Sequence, residues 1–244
     1  MNLNLQDLTV VITGGSSGIG ASIVQSFLHE GCHVYFCSRS HEKVNKKLEE
    51  HSSENTKLKA KVLDVTDSKG FSQWLSEIGK VDIFVPNVSA LSGDWDSALS
   101  IDIKATVDNI EAVLPYLEKS ENAAITYIGS KASSFPTPGM DAYGAVKAAM
   151  THYMKTLSKK LISKNIRVNT VSPGDTFISD GFWGAMKQNN PDIYDQTVLA
   201  NPMGRLCTPE EVAKVVVFMS SPIASFVCGN NWLVDGAATD HIQI

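Results

Sequence analysis

A chain of 244 residues, 43% of them hydrophobic, is long enough to bury a sizeable core as one α/β domain. Its formal net charge of −5 gives no global attraction to nucleic acid or to an anionic membrane. No apolar run nears the roughly 18 residues of a transmembrane helix, and the start Met1-Asn-Leu-Asn-Leu-Gln-Asp7 lacks the basic and apolar regions of a secretory signal, so a soluble cytoplasmic protein is expected.

Leu8 to Thr13 is a β-branched run that reads as a buried strand. It leads into Thr13-Gly14-Gly15-Ser16-Ser17-Gly18-Ile19-Gly20. A helix follows, with Ile19, Ile23, Val24, Phe27 and Leu28 on one face and Gly31 as its stop. Strand, glycine-rich turn and helix are the setting a dinucleotide-binding fingerprint needs. Glycines let backbone approach a pyrophosphate, and the helix N-terminus offers N–H groups and a positive dipole end. Outside that setting the same glycines are an ordinary tight turn.

His33 to Ser38 reads as the second strand, and the residues at its end decide how an adenosine ribose is read. An NAD site places a carboxylate there; this chain has Ser38 and Arg39, and a guanidinium pairs with a 2′-phosphate through two hydrogen bonds. NADP(H) is the expected cofactor. Cys32 and Cys37 read as reduced core or strand-end residues. No cysteine or histidine spacing suggests a metal site.

Residues 40–51 read as a charged helix and residues 57–65 as a strand ending in Leu63-Asp64-Val65. Asp64 either reaches an adenine or caps the next helix, with Thr66-Asp67-Ser68 a second capping candidate. Phe71, Trp74, Leu75 and Ile78 form a core stripe. Val81 to Val85 is a strand closed by Pro86-Asn87-Val88-Ser89. A helix is expected over 95–113 with Leu99, Ile103, Val107 and Ile110 inward. Asp102 beside that face is solvated, at a subunit contact, or turned into a cavity.

Ala123 to Ile128 is a strand that delivers Ser130, followed by a Pro/Gly loop over 135–139 and a helix rich in small residues. Tyr143 and Lys147 lie four apart on that helix and so share a face. An ammonium beside a phenol favours the phenolate, which suits the pair to acid/base work. An isolated pair of this kind is ordinarily only a surface contact; its position here, downstream of Ser130, sets it apart. Ile166 to Val171 is a strand running into Ser172-Pro173-Gly174. Residues 175–203 form an aromatic-rich insert, either a substrate lid or a packed surface helix, and Phe135, Phe177, Phe182, Trp183 and Met186 suggest an apolar, medium-sized substrate. Thr208, Pro209 and Glu211 make a capping box for the last helix, and residues 227–234 supply a final strand.

About seven strands alternating with helices imply a single-domain, Rossmann-type doubly wound parallel sheet spanning 1–244, with ligands at the carboxyl ends of the strands. Gly14 to Gly20, Arg39, Asn87, Ser130 and Pro173-Gly174 all fall at that edge.

In order and spacing the chain resembles the classical short-chain dehydrogenase/reductases, including their 3-oxoacyl-carrier reductases. The resemblance rests on Thr13 to Gly20, Leu63-Asp64-Val65, Ser130, Tyr143-Gly-Ala-Val-Lys147, Ser172-Pro-Gly174, Asn201-Pro-Met-Gly-Arg205 through Glu211, and Val234-Asp-Gly236. It implies that Tyr143 exchanges a proton with a carbonyl or alcohol oxygen, that Ser130 bonds that oxygen, and that Lys147 supports Tyr143 and the nicotinamide ribose. It further implies a cofactor lying against Gly14, Ser16, Ser17, Gly18, Ile19, Gly20, Ser38, Arg39, Asp64, Val65, Asn87, Tyr143, Lys147, Pro173, Gly174 and Thr176. A homotetramer or homodimer paired through helices 95–113 and 142–160 is implied as well. Two departures stand out. The family's Asn-Asn-Ala-Gly is here Pro86-Asn-Val-Ser89, whose bulk is expected to crowd the cofactor. The family's helix asparagine is Asp102, expected to keep a proton-relay role and to raise the Lys147 pKa. A small carbonyl or alcohol substrate is expected. A carrier-linked one is disfavoured, because Glu118-Lys-Ser-Glu-Asn122 is no basic patch. The rivals are a cofactor-binding sensor that has lost catalysis and a sugar-nucleotide epimerase, which ordinarily carries a further substrate domain.

Overall fold

The computed structural model describes residues 1–51 and 57–240, and the rest of the expected 1–244 domain lies outside the described residues. Along them run β1 (Thr9–Thr13), α1 (Gly18–His29), β2 (His33–Ser38), α2 (His41–Glu50), β3 (Leu58–Val62), α3 (Ser68–Ile78) and β4 (Ile83–Val85). There follow α4 (Trp95–Ser97), a π-helical stretch (Ala98–Ala105), α5 (Thr106–Leu117), β5 (Ala124–Ile128), α6 (Asp141–Leu161) and β6 (Arg167–Pro173). Then come α7 (Phe182–Asn189), α8 (Pro191–Ala200), α9 (Pro209–Ser220) and β7 (Asn231–Val234).

The strands form one seven-stranded sheet in the order β3-β2-β1-β4-β5-β6-β7. Every pairing is parallel, which makes the sheet the doubly wound Rossmann type. Helices cover both faces, and strand alternation divides the core between them. Val10 and Ile12 face α1 and α9, whereas Val11 faces α3, α5 and α6. The order reverses direction between β1 and β4, so the crevice opens at their carboxyl ends.

Several boundaries differ from the sequence expectation. β3 stops at Val62 and not at Val65, because Asp64 accepts from Thr66 N (2.9 Å) and Thr66 Oγ1 (2.7 Å) and turns the chain. Asp67 is the cap of α3, accepting from Gly70 N. The single helix expected over 95–113 is three pieces and runs on to Leu117. Its wide-turned middle, Ala98–Ala105, rotates the face. Leu99, expected inward, is 46% exposed, and Asp102 is 1% exposed. The 175–203 insert is largely ordered as α7 and α8, held by the edge contact of Phe177 on Tyr194 and of Trp183 on Tyr194. The capping box on α9 is present as expected.

Arg167 locks the far end of the sheet. Its buried guanidinium donates to the carbonyls of Met219, Ser220, Ser221 and Val227, fastening the C-terminus of α9 to β6. Burial pulls its pKa down, yet the four carbonyls and the negative helix end hold the cation. Arg167→Ala leaves those acceptors unpaired and is expected to lower the free energy of unfolding by about 3 kcal/mol. Urea denaturation reads this as an earlier midpoint; an unchanged midpoint would contradict it.

Candidate active site

The cleft at the carboxyl edge has a volume of about 900 Å³. Gly14, Ser16, Ser17, Gly18, Ile19, Gly20, Ser38, Arg39, Asp64, Val65, Asn87, Ser130, Tyr143, Lys147, Pro173, Gly174 and Thr176 all line it. Of the catalytic and cofactor residues singled out from the sequence, Asp102 alone does not reach the cleft.

The glycine-rich turn is shaped by close approach. A Cβ on Gly20 would lie 2.1 Å from Gly14 O, and Gly14 has φ +72°. Asn87 Nδ2 donates to the carbonyls of Thr13 (3.0 Å) and Gly14 (3.2 Å), pinning the turn to the end of β4. Ser17 caps α1 without a side-chain bond, so the first-turn N–H groups stay available to an anion. Val88 and Ser89, expected to crowd the cofactor, are part of the cleft wall, and a Cβ on Gly14 would stand 2.9 Å from Val88 Cγ2. This cradle suits a dinucleotide pyrophosphate.

At the end of β2, Ser16 Oγ donates to Ser38 Oγ (2.7 Å). Arg39 lies 3.8 Å from Asp64, and Lys43 lies 3.5 Å from Asp180. Both pairs are long and solvated, so an incoming phosphate can take either cation at little cost. Lys43 was not legible as a site residue, since it reads as one of many charges on a solvated helix.

The other end of the cleft brings Ser130, Tyr143 and Lys147 together. Ser130 Oγ accepts from Ala132 N (3.1 Å), leaving its hydroxyl proton to donate. One turn of α6 separates Tyr143 from Lys147, and the Lys147 Nζ lies 5.7 Å from the Tyr143 ring centroid. Lys147 is only 2% exposed. Its ammonium donates to Tyr127 Oη (3.1 Å) and to Ile128 O (3.2 Å). Asp102 Oδ1 approaches the same nitrogen to 3.3 Å off the hydrogen-bonding axis, an ion pair without a hydrogen bond. Asp102 Oδ2 accepts from Ala90 N (2.9 Å). The carboxylate therefore sits behind Lys147, because the π-helical stretch turns it inward and away from solvent.

Burial by itself would lower the Lys147 pKa. The oxygens of Tyr127 and Tyr143 and the Asp102 carboxylate outweigh burial, and the net shift is upward. The expected effect of Asp102 on the lysine is thus one part of a larger cluster. Tyr127 carries no mark of this role in the sequence, because an aromatic residue within Ala124–Ile128 reads as core. Burial pushes its own phenol up.

Of the five side chains expected to form an apolar substrate wall, Phe135, Phe182 and Trp183 line the cleft. Phe177 and Met186 do not; Phe177 is taken up by Tyr194, at 6.0 Å between ring centroids. Among the described residues no helix is long and apolar enough to cross a membrane.

A family model described as enoyl-(acyl carrier protein) reductase matches residues 14–239. The isoepoxydon dehydrogenase patN of Penicillium expansum is 33% identical, with 97% of this chain and 96% of that one aligned. The 3-oxoacyl-[acyl-carrier-protein] reductase FabG of Thermotoga maritima is 31% identical over 96% of this chain and 98% of its own. Among solved structures, L-sorbose reductase from Gluconobacter frateurii, complexed with NADPH and L-sorbose, superposes with a TM-score of 0.90 at 27% identity, covering 99% of this chain and 100% of that one. An NADP active-site complex of Pseudomonas aeruginosa RhlG has a TM-score of 0.88 at 26% identity, covering 97% and 98%.

Tyr127→Phe keeps the ring and removes one acceptor from a buried ammonium, so a stability loss of about 1.5–3 kcal/mol is expected at neutral pH. A raised folded-state pKa contributes stability that is fully present below the unfolded value of about 10.4 and lost above it. The difference between Tyr127→Phe and the unaltered protein should therefore narrow as unfolding is followed above about pH 10.4. A gap that stays constant with pH would show that the hydroxyl does not act through Lys147.

Proposed function

The chain belongs to the short-chain dehydrogenase/reductase family of oxidoreductases, and on that premise we propose that it is an NADP(H)-dependent enzyme interconverting a ketone and a secondary alcohol. The observation that carries this reading is one cleft wall presenting Ser130, Tyr143 and Lys147 beside the glycine-rich start of α1. The substrate is a small molecule of medium size with an apolar face toward Phe135, Phe182 and Trp183.

The cofactor, when bound, supplies or accepts the hydride. Gly14, Ser16, Ser17, Gly18, Ile19 and Gly20 hold its pyrophosphate end; Ser38, Arg39, Asp64, Val65 and Asn87 its adenosine half; Pro173, Gly174 and Thr176 the nicotinamide end. Arg39 and Lys43 exchange their solvated carboxylate partners for the 2′-phosphate, which is the basis for NADP(H) over NAD(H). Ser130 donates its free hydroxyl proton to the reacting oxygen. Tyr143 gives its phenolic proton to that oxygen in reduction and takes it back in oxidation. Lys147 holds its positive charge beside Tyr143 and the nicotinamide ribose, and Asp102 keeps that charge fixed from behind, as the start of a proton relay.

Residues 175–203 act as the substrate lid of a single oxidoreductase domain. The protein assembles as a homotetramer or homodimer through 95–117 and α6, where Trp95 and Leu99 are exposed, and works in the cytoplasm, where Cys32 and Cys37 stay reduced. The competing reading is a cofactor sensor without turnover, favoured only by the departures at Pro86–Ser89 and Asp102.

Titration of the tryptophan fluorescence with each cofactor is expected to give at least tenfold tighter binding of NADPH than of NADH, with Arg39→Ala reducing that preference. Equal or reversed affinities would remove the NADP(H) assignment. Tyr143→Phe is expected to lower kcat by a factor of about 10²–10⁴ while leaving the NADPH dissociation constant nearly unchanged. A variant that retains kcat would overturn the role given to Tyr143.

A further inference from the structure

Lys131 and Asp175 form an ion pair across the ends of neighbouring strands β5 and β6. Both line the active-site cleft. Lys131 directly follows Ser130, and Asp175 directly follows Gly174, so the pair flanks the place where the reacting carbonyl is held. The side chains are only 29% and 18% exposed, and that exposure is to a cleft whose other walls include Phe135, Met140, Phe182 and Trp183.

The pair is incompletely satisfied. Lys131 Nζ makes one hydrogen bond among the described residues, to Asp175 Oδ2, and Asp175 Oδ1 accepts none. Two ammonium protons and one carboxylate oxygen are left beside the cleft, in water's keeping. A substrate that fills the cleft displaces that water. An apolar group placed there leaves both charges without partners, which is costly. A carboxylate on the substrate meets Asp175, and an ammonium meets Lys131, each a like-charge contact. A neutral hydroxyl suits both: its proton goes to Asp175 Oδ1 and its oxygen accepts from Lys131 Nζ.

We infer that Lys131 and Asp175 are a hydroxyl-binding subsite and that the substrate carries a hydroxyl close to its reacting carbon, as in a hydroxy ketone or the corresponding diol. The inference rests on the carbonyl–alcohol chemistry proposed for Ser130 and Tyr143. It makes the substrate amphiphilic, with a polar edge toward the strand ends and an apolar body toward Phe182 and Trp183. It also gives the two charges a part that a brace between β5 and β6 would not have, since a brace is indifferent to what fills the cleft.

The test compares cyclohexanone with α-hydroxycyclohexanone as substrates for NADPH-dependent reduction by the intact protein. A charge-assisted hydrogen bond to each partner predicts kcat/KM higher by roughly ten- to a hundredfold for the hydroxylated ketone. Asp175→Asn and Lys131→Met should each bring that ratio toward one, with thermal unfolding used to verify that the variants are folded. A ratio near or below one in the unaltered protein overturns the subsite, as does a ratio that survives both substitutions. If neither ketone is reduced while NADPH binds, the carbonyl chemistry fails separately. Calorimetric binding of α-hydroxycyclohexanone to the NADP⁺ complex then decides the subsite: binding weakened by Asp175→Asn supports it, and no binding overturns it.

Discussion

The active-site end of the molecule is built around a buried positive charge. An ammonium taken out of water is destabilised by several kcal/mol unless its protons and charge are met. Lys147 is met from three directions: by the hydroxyl of Tyr127 and the carbonyl of Ile128 on β5, by the Asp102 carboxylate from the π-helical stretch, and by the Tyr143 ring on its own helix. These contacts tie α6 to β5 at one point, and Tyr143, a turn earlier, takes its place from that tie. The π-helical turn is part of the same arrangement. With regular α-helical winding the chain would present a different face, and the carboxylate would not lie behind the lysine.

The remaining charges of the cleft follow a different rule. Arg39 with Asp64 and Lys43 with Asp180 are long, solvated pairs around the end of β2. Pairs of this kind contribute little to stability and give way easily to a better anion. Lys131 with Asp175 is enclosed, so its satisfaction depends on what shares the cleft with it. One edge of one sheet thus carries three electrostatic settings: a fixed buried cation, exchangeable exposed cations, and a half-satisfied pair.

The 175–203 insert joins these settings. Ile178 lies so close to the glycine-rich turn that a Cβ on Gly18 would stand 3.0 Å from its Cδ1. From there α7 and α8 fold back over an aromatic cluster of Phe177, Trp183 and Tyr194. The insert is therefore in van der Waals reach of the glycine-rich turn. Arg167, at the opposite end of β6 and outside the lining of the cleft, fastens α9 to the sheet. Stability and chemistry are drawn from different ends of the same strands.

Much of this protein was written locally. The β1–turn–α1 unit, the capping box at Thr208 and the four-residue spacing of Tyr143 and Lys147 each depend on bonds and periodicities within a few residues, so composition and spacing suffice to read them. The alternation of strands with helices in turn fixed the doubly wound class. What lay beyond the sequence is what distant segments decide together. Periodicity reports which residues are apolar, but not that residues 98–105 widen into a π-helix, so the pattern alone places Leu99 inward and leaves Asp102 open among three settings. An aromatic residue in a buried strand carries no mark that its hydroxyl meets a lysine, and Tyr127 and Lys147 are joined only when α6 packs on β5. Lys131 and Asp175 are 44 residues apart and become partners because β5 and β6 are neighbours in the sheet. Side-chain chemistry is a property of the sequence; which side chains share a low-dielectric space is a property of the tertiary packing, and there the charges acquire their partners.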